Sequence, residues 1–254
     1  MLQQSKNLRE RILAIGSFGS GKSYAWLSIA RKAQKTGSKA KFYCIDTDLS
    51  IERMLTEEFS ELRNVELECV FEWEEYTAAL DKFKKISTPQ DWIIVDMIDI
   101  AWEAVQGYFT EEIFSKDIGQ FFIEARKSMK PGDKKVKIFD GWKDWQIINR
   151  LYFTWVNKLI YQSKSHIFAT AKVEKISDED EDKNTRLLFG QYGVKPRGQK
   201  YLGHQFHTVL LLNQFKANDY RITTIKDRGR KVLEGASLRD FSIQYLVGVA
   251  KWKI

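Results

Sequence analysis

The sequence has 254 residues, of which 43% are hydrophobic, 13% aromatic and 30% charged; this is enough apolar side chain for one sizeable α/β core and excludes a disordered chain. The formal net charge of +7 and pI near 9.2 suit either a polyanionic partner or an ordinary solvated basic surface. Cys44 and Cys69 lack metal-ligand spacing and read as core thiols in a reducing compartment, and no apolar run is long enough for a signal peptide or a membrane span, so a cytoplasmic protein with no membrane partner is expected.

Residues Arg11 to Ile15 (RILAI) form a short apolar run that breaks at Gly16, a buried strand feeding a glycine loop. Ser23 to Lys35 reads as a helix stopped by Gly37. Lys41 to Asp46 reads as a second strand and Val65 to Val70, which alternates, as a third. Trp73, Tyr76, Leu80 and Phe83 recur at three- and four-residue spacing and predict a one-faced helix. Asp91 to Asp96 (DWIIVD) is a continuous apolar run ending in an acid, as in a central parallel strand. Residues Tyr108 to Asp140 carry no clear period. Trp145, Ile148, Tyr152, Trp155 and Leu159 define a further amphipathic helix, with Trp145 and Trp155 as core residues. Ser165 to Thr170 is the next strand, and Glu174 to Arg186, with its DEDED run at Asp178 to Asp182, reads as a mobile loop or hairpin tip. Thr208 to Asn213 and Tyr220 to Lys226 are two late strands joined by a short polar turn, an antiparallel hairpin. Strands alternating with helices predict an α/β fold with a mainly parallel sheet covered by helices on both faces. No linker composition divides the chain, so residues 1–254 are expected to form a single domain.

Gly16, Ser17, Phe18, Gly19, Ser20, Gly21, Lys22 and Ser23 read GSFGSGKS and fit GxxxxGK[ST] in full, between a predicted strand and a predicted helix. Glycines let the backbone turn its N–H groups toward phosphate oxygens, and the helix N-terminus adds a partial positive charge. The motif predicts ATP and Mg2+ as ligands: Lys22 reaches the β- and γ-phosphates, and the Ser23 hydroxyl ligates the metal. The acid expected beside the metal is Asp96, which directly ends the run WIIVD; Asp99 is the competitor, one turn further on at an expected helix start.

Met97 stands after Asp96, where many AAA+ ATPases place a catalytic glutamate, and no N-K-x-D guanine motif follows. The chain instead resembles the RecA-like P-loop ATPases. Its second strand ends in YCIDTD, similar to that family's I-D-x-E, which makes Asp48 the implied general base, with capping of a following helix as its alternative role. Residues Tyr220 to Arg228 (YRITTIKDR) end in K-x-R, similar to RadA-type proteins and DnaB-type helicases; the resemblance implies that Lys226 and Arg228 enter a neighbouring subunit's ATP site, hence a homo-oligomeric ring or filament. Thr170 or Lys172, at the end of SHIFATAK, falls where the family places a sensor of the γ-phosphate. The order of these features looks like the compact Sak-type recombination and annealing ATPases of bacteriophages. That implies an ATPase acting on single-stranded DNA in recombination, annealing or replication, in the host cytoplasm.

Two stretches are predicted to meet single-stranded DNA. One is Arg126 to Lys137, with Arg126, Lys127, Lys130, Lys134, Lys135 and Lys137; the other is Phe189 to Tyr201, with Lys195, Arg197, Lys200 and the aromatics Phe189, Tyr192 and Tyr201. Cations neutralise phosphates and aromatic faces take unstacked bases, although solvated loops have the same composition. His204 and His207 have no third ligand nearby and read as core or sheet-edge residues. The alternatives are a DNA-translocating motor, a helicase or packaging ATPase, since GSFGSGKS also resembles terminase P-loops, and a P-loop kinase or regulatory nucleotide switch without DNA.

Overall fold

The computed structural model describes residues 9–128, 143–176, 183–228 and 233–240. The first half alternates β1 (Arg11–Gly16), α1 (Lys22–Lys35), β2 (Phe42–Asp46), α2 (Ser50–Thr56), β3 (Val65–Cys69), α3 (Trp73–Ile86), β4 (Trp92–Asp96), α4 (Ile98–Phe114) and α5 (Ile118–Lys127). The second half runs α6 (Lys143–Asn157), β5 (His166–Ala171), β6 (Val173–Lys175), α7 (Lys183–Phe189), β7 (Val194–Pro196), α8 (Leu202–Gln205), β8 (Thr208–Lys216), β9 (Asp219–Asp227) and β10 (Ala236–Ser237).

Among the described residues, the main sheet has eight strands in the order β10-β9-β8-β1-β5-β4-β2-β3. All pairings from β8 through β1 to β3 are parallel, and β8/β9 and β9/β10 are antiparallel. This is the expected α/β architecture, a mainly parallel sheet with helices on both faces and a late antiparallel hairpin. β1 and β4 carry the GSFGSGKS loop and Asp96, and one strand, β5, stands between them.

The period of two along buried strands sorts the core onto two faces. Leu13 and Ile15 of β1 join Ile93 and Val95 of β4 under α3, α4 and α6, where Trp73, Tyr76, Tyr152 and Trp155 pack. Ile12 and Ala14 join Trp92 and Ile94 on the opposite face under α1, with Trp26, Leu27 and Ile29. The structure thus explains why β1 and β4 read as uninterrupted apolar runs: both faces are covered.

Several local expectations change. Glu174 and Lys175 lie in β6, paired with β7, and Lys183 to Arg186 begin α7, so the described ends of the stretch expected as a loop are regular structure; the DEDED run lies outside the described residues. The described part of the stretch without a clear period, residues 108–128, is largely helical, as the end of α4 and α5, and α5 buries no residue fully. Cys44 is buried as expected, but Cys69 is exposed at the end of edge strand β3. Among the described residues, no helix is long and apolar enough to cross a membrane.

Candidate functional site

The site forms where β1 gives way to α1. Gly19 and Gly21 have φ of 67° and 89°, the left-handed region that glycine enters without a steric cost, and this lets the loop wrap around its own centre. Gly16 is required for another reason: a Cβ there would collide with the Ser20 side chain and the Leu212 carbonyl. Lys22 Nζ donates to the carbonyls of Gly16 (3.1 Å) and Ser17 (2.8 Å), so the ammonium is folded back across the loop's mouth. Burial holds its pKa below the usual lysine range, while Asp96 and Asp99 pull the other way.

Asp96 ends β4 and is almost wholly buried. Trp26 Nε1 donates to its Oδ2 at 2.9 Å, Thr170 Oγ1 donates to its Oδ1, and the Ser23 hydroxyl lies beside it. Burial raises the Asp96 pKa, and these three groups oppose that shift. The structure therefore brings Ser23 and Asp96 together, as the two motifs predict. Their hydroxyl and carboxylate oxygens are the hard donors that suit Mg2+. Ser20 Oγ is buried without a hydrogen-bond partner among the described residues. A buried polar atom in that condition, inside a glycine loop that leads into a helix N-terminus, fits a phosphate cradle.

Asp99, the competitor to Asp96, sits in the first turn of α4, buried, with Oδ1 accepting from the Lys172 backbone N–H at 3.3 Å. Asp46 pairs in register with Asp96 across β2 and β4. Both of its oxygens accept backbone N–H groups, from Asp48 (3.4 Å) and Ile51 (3.2 Å). Burial pushes the Asp46 carboxyl up to about 6 despite these bonds. Asp48 is exposed and lines the same cleft as Lys22, Ser23 and Asp96. Its Oδ1 accepts from Ser50 N–H at 3.1 Å; Asp48 stands one residue ahead of Leu49, which is the N-cap of α2 and has no side-chain cap bond.

The cleft has a volume of about 520 Å³. Its walls include Phe18, Gly19, Ser20, Gly21, Lys22, Ser23 and, across the loop, Tyr220, Leu238 and Arg239. Sequence reasoning missed this second wall. Leu238 and Arg239 are short-range unremarkable, and only the pairing of β10 onto β9 carries them to the loop.

The two sensor candidates separate. Thr170 is buried and committed to Asp96, whereas Lys172 holds its ammonium 5.1 Å from the ring of Phe18, which is 82% exposed at the loop tip. Lys226 Nζ donates to the carbonyls of Gly203 (3.2 Å), His204 (3.2 Å) and Phe206 (2.7 Å). Burial, with the nearby Arg228 charge, pushes its pKa down to about 8. Arg228 is exposed beyond the end of β9.

The predicted nucleic-acid loop is partly absorbed into the fold. Lys195 pairs with Glu174 at 3.5 Å and Arg197 pairs with Glu103. Phe189 is buried in the core and Tyr192 packs against it, which removes Phe189 as a base-stacking surface. Lys200 and Tyr201 remain exposed and adjacent, ammonium to ring centre 5.9 Å. Of the other stretch, Arg126 and Lys127 close α5, while Lys130, Lys134, Lys135 and Lys137 lie outside the described residues. Among the described residues no group of histidines, cysteines and acids could hold a metal by itself.

Comparison with known proteins gives one family: the model of the AAA domain family matches residues 8–234. No curated protein matches the chain. Among solved structures, the crystal structure of the RadB recombinase is similar over 90% of this chain and 85% of that one, at 16% identity and a TM-score of 0.46.

Proposed function

This chain belongs to the AAA domain family, and on that premise we propose that it binds ATP with magnesium and hydrolyses it, as a RecA-like ATPase acting on single-stranded DNA in recombination, annealing or replication of the phage type. The observation that carries the reading is the convergence of Lys22, Ser23 and Asp96 on one cleft at the end of β1 and β4.

In this reading the loop amides and Lys22 hold the β- and γ-phosphates, which requires the ammonium to leave the Gly16 and Ser17 carbonyls. Ser23 and Asp96 would hold magnesium, which would supply charge neutralisation at the phosphates. Trp26 and Thr170 fix both Asp96 oxygens, so the carboxylate is already aimed before ligands arrive. Asp48 lines the cleft and accepts the proton of the attacking water, directly or through a second water. Arg228, free of the strand, is the finger offered to a neighbouring subunit; Lys226 anchors the end of β9 that presents it. A homo-oligomeric ring or filament follows from that assignment. The DNA surface centres on Lys200 and Tyr201, with Lys195 and Arg197 released from Glu174 and Glu103 on binding.

Steady-state ATP hydrolysis at low salt, with and without single-stranded DNA, tests the reading. Strong stimulation is expected. Turnover indifferent to DNA removes the DNA-dependent part and favours a regulatory nucleotide switch, while absence of ATP binding removes the whole.

A further inference from the structure

The cleft straddles β1, and its two flanks differ in chemistry. In the sheet order, β5, β4 and β2 lie on one side of β1, and they bring the carboxylates of Asp96 and Asp48. On the other side lie β8, β9 and β10. That flank brings Tyr220, from the start of β9, and Leu238, directly after β10. Among the described residues, no carboxylate side chain of the cleft comes from those strands.

This second wall is built tightly. β10 is held by Ala236 opposite Ile222 and Ser237 opposite Arg221. Arg221 Nη1 donates to the Gly235 carbonyl at 3.2 Å, and Gly235 N–H donates to Thr223 Oγ1 at 3.2 Å. Leu238 is buried against the loop, so closely that a Cβ at Gly21 would collide with its Cδ2 and stand 3.8 Å from the Tyr220 ring. Tyr220 is half-buried, leaving part of its ring to the cleft. Asn218, with φ of 63°, forms the turn that places it. Tyr220 lies within residues 8–234, which the family model matches, and Leu238 lies beyond them.

The geometry points to a nucleoside seat on this flank: Tyr220 and Leu238 hold the purine base of the bound triphosphate, across β1 from Asp96. The inference rests on the proposed triphosphate site. With the terminal phosphates fixed at Lys22, Ser23 and Asp96, the base must extend along the cleft away from the carboxylates. An aromatic ring backed by a buried leucine is a surface for a flat π-face, and two fused rings cover more of it than one. Met54, on α2 after β2, and Met97, directly after β4, are apolar side chains of the cleft on the acid flank, and Met54 offers the competing position.

The test is binding by the full chain of ATP, CTP and inorganic tripolyphosphate, with magnesium, followed by calorimetry. Wild type should bind ATP more tightly than CTP and tripolyphosphate. Tyr220→Ala should weaken ATP binding about tenfold or more while leaving tripolyphosphate within about twofold, and Tyr220→Phe should restore ATP binding. Equal losses for ATP and tripolyphosphate, no loss at all, or a selective loss with Met54→Ala instead would overturn the seat. ATP and CTP binding alike would overturn the purine assignment. Should Tyr220→Ala fail to fold, Tyr220→Leu removes the π-face and keeps the bulk, with the same two outcomes. If wild type binds neither ATP nor tripolyphosphate, it is the triphosphate site itself that fails.

Discussion

Trp26 Nε1 and Asp96 Oδ2 stand 2.9 Å apart, joining the first helix after the loop to the end of β4 inside the core. The indole is fully buried, so its N–H has no access to water if the carboxylate leaves. Replacing Trp26 by Phe retains much of the ring but frees one Asp96 oxygen. Losing one donor to a buried charge is expected to cost about 1.5–3 kcal/mol of orientation energy. The expected outcome is a fall in kcat of about tenfold or more and a higher magnesium requirement, read by titrating the metal at saturating ATP.

Lys22→Ala separates binding from stability. Of the two carbonyls that the ammonium bonds, that of Ser17 belongs to an exposed residue where water can replace it, and only that of Gly16 is buried. The melting temperature should move little, while ATP turnover should fall at least about a hundredfold, as when a charge-stabilising donor is removed. A large loss of stability with preserved turnover would contradict the placement of Lys22 on the phosphates.

Asp46 makes a pH prediction with a definite sign. Its folded pKa of about 6 exceeds the ordinary 3.8, so the folded state binds the proton more tightly than the unfolded one. Stability from this group therefore falls as pH rises from about 4 to 6, by up to about 3 kcal/mol, and the cost persists above 6. Asp46→Asn removes that slope. Its melting temperature relative to wild type should be more favourable at pH 7.5 than at pH 5, and thermal unfolding at the two pH values reads the difference.

Lys226 and Arg228 are expected to respond differently although they are two residues apart. Lys226→Ala leaves three carbonyls without their ammonium, and should destabilise the isolated subunit by about 1–3 kcal/mol. Arg228→Ala should stay within about 0.5 kcal/mol of wild type. Its effect should appear in ATP turnover of the assembled protein, and mixing it with Lys22→Ala subunits should restore part of the activity by pairing an intact site with an intact finger.

Glu103→Gln and Glu174→Gln test the nucleic-acid surface from the opposite direction. Each removes a carboxylate that holds Arg197 or Lys195. Single-stranded DNA affinity should rise, and the salt dependence of log K should steepen by about one phosphate's worth for each cation released. Unchanged affinity and slope would place the DNA elsewhere.

The sequence by itself determined the phosphate loop, the strand that feeds it and the acid at the end of DWIIVD. In each case adjacent residues carry the signal: eight consecutive residues for the loop, an unbroken apolar run for the strand. The parallel sheet followed because strands buried on both faces must be continuously apolar. Side chains whose role depends on a distant partner were not legible. Lys195 and Arg197 read as free cations until the fold set Glu174 and Glu103 beside them. Lys226 read as a finger, and the fold set three carbonyls around its ammonium. Tertiary structure alone decided that Trp26 and Thr170 would bracket Asp96 and that Leu238 would close the loop's far side, because sheet order, and not sequence distance, determines which strand ends meet.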